Sequence, residues 1–69
     1  MQQDFDQAAS KFEHALKTDP AYIPALGNLS LVYRQQGRID DAKAMLRQLL
    51  TFQPGDPNAL ALLRELERL

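Results

Sequence analysis

Residues 22–54 read YIPALGNLSLVYRQQGRIDDAKAMLRQLLTFQP, and this stretch decides the fold. Its apolar and small residues recur at three- and four-residue steps, first as Tyr22, Leu26, Leu29, Ser30 and Tyr33. They resume as Ile39, Ala42, Leu46, Leu49, Leu50 and Phe52. Such spacing predicts two amphipathic helices, each offering one apolar face to a core. Pro24 falls in the first turn of the earlier helix, where a missing amide costs little. Gly37 supplies the left-handed stop that commonly follows a helix. Asp40 and Asp41 stand at the positive end of the later helix. A connection of about two residues forces the pair to lie antiparallel.

Outward from this hairpin the same logic holds on both sides. Upstream, Phe5, Ala8, Ala9, Phe12, Ala15 and Leu16 form one apolar stripe, which predicts a helix over residues 5–17. Asp4 is placed to cap it, Glu13 and Lys17 form a favourable pair four residues apart, and Asp19-Pro20 ends it. Downstream, Pro54-Gly55-Asp56-Pro57 is turn punctuation, with Asp56 as cap and Pro57 at the first helical position. A fourth helix is expected over residues 57–68, with Leu60, Leu63 and Leu66 inward.

Sliding the chain against itself by 34 residues exposes an internal repeat. Gln2, Asp6, Ala8, Leu16, Pro20, Ala25, Leu26, Leu29 and Arg34 fall on identical residues, while Phe5 meets Ile39 and Phe12 meets Leu46. Leu26, Leu29, Ser30, Tyr33, Ala42, Leu46 and Pro54 together resemble the tetratricopeptide-repeat pattern W-x2-L-G-x2-Y…A-x3-F…P. Leu26 takes the tryptophan slot, Leu29-Ser30 the Leu-Gly slots and Leu46 the phenylalanine slot. The expected fold is all-α: an antiparallel helix-turn-helix repeat of four helices, a fragment of an α-solenoid. The resemblance implies one full repeat over residues 22–54, flanked by the second helix of a partial repeat (4–18) and a capping helix (57–69). Arg64 and Glu67 occupy the slots equivalent to Ser30 and Tyr33, so a further helix could not approach closely there. The C-terminus is therefore expected to end the array.

Composition narrows the function. Sixty-nine residues make one small domain, with 45% apolar and 25% charged content. A formal net charge of -1 with interleaved signs leaves no basic stripe for nucleic acid. No cysteine is present, so neither a disulfide framework nor a thiolate metal site can form. No apolar run approaches the ~20 residues of a membrane span, and the start lacks the features of a signal peptide. The expectation is a soluble chain, cytoplasmic as written.

No catalytic, metal or cofactor constellation is expected. His14 is the single histidine and has no partner at matched spacing. Asp40 and Asp41, adjacent on a helix, point about 100° apart and serve the helix start. The more informative face lies on the second helix, about 130° from its core stripe. Pro24, Gly27, Asn28, Leu31, Arg34 and Gln35 stand there, with a mid-helix glycine and a large apolar residue on the non-core side. In the family, the first helices of successive repeats line a concave surface that holds peptides or helices. The resemblance therefore implies that Asn58, Ala61, Glu65 and Arg68 stand beside this stripe. Some members grip terminal carboxylates with lysine and asparagine, but the corresponding slots here hold Gly27 and Leu31. A mainly apolar groove with a charged rim is expected, and its partner is protein. A second expectation is self-association, or continuation of a longer array, through Phe5, Ala8, Phe12 and Ala15 of the first helix. In the repeat pattern these residues lack the helix that covers their counterparts.

Overall fold

The computed structural model describes residues 4–69; the Gln2–Gln36 correspondence of the internal repeat lies outside the described residues. The chain forms α1 (Phe5–Thr18), α2 (Ile23–Gln35), α3 (Ile39–Phe52) and α4 (Pro57–Glu67). Each helix packs chiefly on the next in sequence, α1 on α2, α2 on α3 and α3 on α4. No strand occurs among the described residues.

The helix ends follow from their capping chemistry. Asp4 accepts from the Gln7 amide at 3.0 Å, and Asp56 accepts from Asn58 at 3.0 Å and Ala59 at 3.4 Å. Both satisfy donors that a helix start leaves without partners. Gly37 takes φ 79°, the left-handed geometry that side chains resist. The Arg38 amide then reaches back to the Tyr33 carbonyl at 2.8 Å, and that of Gly37 to Arg34 at 3.0 Å. This double bond pattern closes α2 and turns the chain directly into α3.

Core and repeat register agree at the centre. Leu26, Leu29, Tyr33, Ala42, Leu46 and Leu49 are buried, and Ser30 and Ala42 are fully inaccessible. The Ser30 hydroxyl donates to the Gly27 carbonyl at 2.6 Å, so its burial leaves no polar atom unpaired. Ala9, Ala25, Ala59 and Leu66 complete the buried set.

Four expectations need correction. Tyr22 and Phe52 are exposed rather than inward. Both sit at helix edges, Tyr22 as the N-cap of α2 and Phe52 as the last residue of α3, beyond the reach of a neighbouring helix. Leu60 is exposed too; α4 turns Ala59, Leu62, Leu63 and Leu66 toward the core instead. Finally, Glu13 does not pair with Lys17, because its carboxylate accepts from the Tyr33 hydroxyl on α2.

Candidate functional site

α2 and α4 flank α3 on the same side, and a cleft of about 450 Å³ opens between them. Its walls are Ile23, Pro24, Gly27, Asn28 and Leu31 from α2, and Asn58, Ala59 and Leu62 from α4. Leu46 and Leu49 of α3 form the floor, and Asp56 stands at the mouth. A Cβ on Gly27 would meet Leu49 Cδ1 at 3.7 Å, an ordinary contact, so glycine widens the cleft without being required for helix packing. Leu31 is 47% exposed on this wall.

Of the residues expected in the groove, Pro24, Gly27, Asn28 and Leu31 converge on the cleft. Arg34 and Glu65 stand outside its walls and pair across the two helices at 3.8 Å, both well exposed. Such a pair contributes under about 1 kcal/mol. Gln35, Ala61 and Arg68 are exposed and do not line the cleft. Sequence reasoning missed Ile23 and Leu62. The signal was available, since Ile23 and Gly27 are one turn apart and Leu62 lies one turn beyond Asn58.

On α1, none of Phe5, Ala8, Phe12 and Ala15 is either fully buried or fully exposed. Phe12 packs partly on the core, less exposed than its position in a bare stripe suggests. The repeat counterparts of the last three, Ala42, Leu46 and Leu49, are all buried.

A separate polar cluster ties α1 to the α2–α3 turn. Tyr33 is buried, donates to Glu13 and lies under the Arg38 guanidinium, 4.1 Å from the ring centre. Arg38 also pairs with Asp41 at 3.0 Å, and the Gln36 amide donates to Asp6 at 2.7 Å. Burial first, and then the Glu13 carboxylate, push the Tyr33 hydroxyl from 10.0 up to about 12. This cluster locks helices together.

Among the described residues no three His, Cys, Asp or Glu side chains converge as metal ligands. His14 is exposed beside Gln7, Ser10 and Lys11. No helix among the described residues is long and apolar enough to cross a membrane. A family model described as tetratricopeptide repeat matches residues 1–66. Neither the curated proteins nor the solved structures yield a match.

Proposed function

The chain belongs to the tetratricopeptide repeat family, whose members generally mediate protein–protein interaction, and on that premise we propose that it captures a peptide or helical segment of another protein in the α2–α4 cleft. In this reading residues 22–54 act as the full repeat, residues 4–18 as the second helix of a partial one, and residues 57–69 as a cap. The observation that carries it is Leu31. A singly exposed leucine is ordinary on a protein surface. This one, however, stands with Ile23 and Pro24 on the α2 wall of a cleft whose other wall carries Leu62. The cleft volume falls inside the range of about 300–1,000 Å³ typical of ligand sites. Burying the exposed half of the leucine contributes on the order of 1 kcal/mol.

Peptides selected from a random display library test this reading. They should perturb the amide resonances of Gly27, Asn28 and Leu31, and Leu31→Glu should weaken them about tenfold or more while helicity and melting stay unchanged. Binders that map instead to α1 or to the α2–α3 turn refute it.

A second reading has its own support in α1. Ala8, Phe12 and Ala15 keep surface that their buried counterparts on α3 have lost, so a further helix would find apolar area to cover. A second copy packed about a two-fold axis closes that face without generating fibres, and a helix from a longer parent chain would cover it equally. Sedimentation separates the cases: a monomer persisting at hundreds of micromolar removes self-association. Phe12→Asp should dissolve any dimer, whereas Leu31→Glu should leave it intact.

A further inference from the structure

The α2–α4 cleft has a charge bias. Among the described residues that line it, Asp56 alone is charged. Beyond the walls, Arg34 and Glu65 face each other and cancel. Both bonds that the Asp56 side chain accepts, from Asn58 and Ala59, fall on Oδ1, which leaves Oδ2 without a hydrogen bond among the described residues. Asp56 is half-buried, and an aspartate partly removed from water attracts a cation more strongly than a fully solvated one.

The obvious objection is that α2 and α4 both begin at this end of the cleft, and helix starts attract anions. Here that attraction is used up. In α4, Pro57 has no amide hydrogen, Asn58 and Ala59 donate to the Asp56 side chain, and Leu60 donates to its carbonyl at 3.1 Å. In α2, Pro24 has none, and Ala25 and Leu26 both donate to the Tyr22 carbonyl, at 3.1 and 3.2 Å. Of the first-turn amides of the two helices, that of Ile23 alone makes no bond among the described residues. A carboxylate or phosphate arriving here would meet Asp56 rather than a row of donors.

Resting on the reading of this cleft as the binding face, we infer that its occupant is a basic peptide. An aliphatic side chain seats against Leu31 and Leu62, and a lysine or arginine lies over Asp56. Asp56 and Leu62 are six residues apart in sequence, an axial rise of about 9 Å along α4 at 1.5 Å per residue. An extended peptide covers that span in about three residues.

The test uses two labelled peptides, one with the core Lys-x-x-Leu-x-x-Lys and one with Glu-x-x-Leu-x-x-Glu, where x is glycine or serine. Placing the charge on both sides makes peptide direction immaterial. The lysine peptide should bind about three- to fivefold more tightly at low salt, a preference that shrinks as salt screens the contact. Asp56→Asn should erase the preference, because asparagine caps a helix as well as aspartate and removes only the charge; an unchanged melt of this variant confirms that the fold is kept. Equal affinity of the two peptides, with both perturbing Gly27 and Leu31, overturns the inference while the cleft reading stands. A lysine preference that survives Asp56→Asn overturns it as well, by placing the cation elsewhere. If the peptides bind but perturb amides of α1 or the α2–α3 turn instead, the cleft reading falls and the inference with it; binding of neither overturns the inference alone.

Discussion

Leu26 and Leu60 occupy the same slot of the internal repeat, yet Leu26 is 0% exposed and Leu60 39%. Both lie on one face of a helix, one turn in from its start. What separates them is the neighbour: α2 has α1 on one side and α3 on the other, whereas α4 packs on α3. Ala42 and Ala8 make the same contrast, the first fully buried and the second half-buried. In a helical repeat, then, sequence pattern marks a slot as apolar, and the adjoining helix determines whether that slot carries stability.

The largest effect that can break this comparison comes from truncating the leucines. Leu26→Ala should cost about 2–5 kcal/mol, enough to unfold much of so small a domain, and Leu60→Ala under about 1 kcal/mol. Equal shifts in urea midpoint would mean that slot rather than neighbour sets the energy. Overpacking gives the next contrast. Ala42→Leu should destabilise by about 1–3 kcal/mol, with substitution of the partly buried Ala8 and Lys43 by leucine close to neutral. Coincident midpoints for Ala42→Leu and Lys43→Leu would remove the close α2–α3 contact.

The polar cluster sharpens the comparison through pH. The folded-state pKa of Tyr33 is raised from 10.0 to about 12, so between those values the folded chain holds a proton that the unfolded chain has lost. The associated stability is fully present below pH 10 and is lost as pH rises toward 12, with a slope of at most about 1.4 kcal/mol per pH unit. Denaturant titrations should show the native chain losing this stability above pH 10 and Tyr33→Phe, less stable at neutral pH, losing none of it, so that the gap between them narrows. Smallest are the two glycines, which should move in opposite directions by about 1 kcal/mol each. Gly27→Ala gains helix propensity against an ordinary 3.7 Å contact with Leu49, whereas Gly37→Ala strains a backbone held at φ 79°. A stabilised Gly27→Ala that also loses peptide binding would show that glycine serves the cleft rather than the fold.

Much of this architecture was legible in the residues. The stripes, caps and turn punctuation place all four helices to within about one residue, because periodicity and capping are local properties. Burial at the edges was not legible, since Tyr22, Phe52 and Leu60 are apolar residues in apolar slots whose exposure depends on what stands opposite. Ala25 and Ala59 were missed as core residues because small side chains weigh little in a stripe, although the 34-residue overlay pairs them. Glu13 illustrates a different gap. Its helix spacing favours Lys17, but Tyr33, twenty residues on, offers a buried hydroxyl, and only the three-dimensional arrangement makes that option visible. At the cleft, the 100° helical rotation picked out Pro24, Gly27, Asn28 and Leu31, but it omitted Ile23 and added Arg34 and Gln35, which stand outside the walls. It could not say how α4 is rotated, which is why Leu62 lines the cleft and Ala61 and Arg68 do not.

Stacking each helix on its sequence neighbour also has a kinetic side. Contacts between adjacent helices close short loops, and chains dominated by such contacts fold in microseconds to milliseconds. An outer helix can also detach without opening the α2–α3 centre. Hydrogen exchange should therefore report a gradient, slowest at Leu29 and Leu46 and faster toward Leu66, with α1 retarded where Glu13 and Asp6 fasten it to the turn. The opening free energy of each helix, read amide by amide, would measure how many neighbours it has.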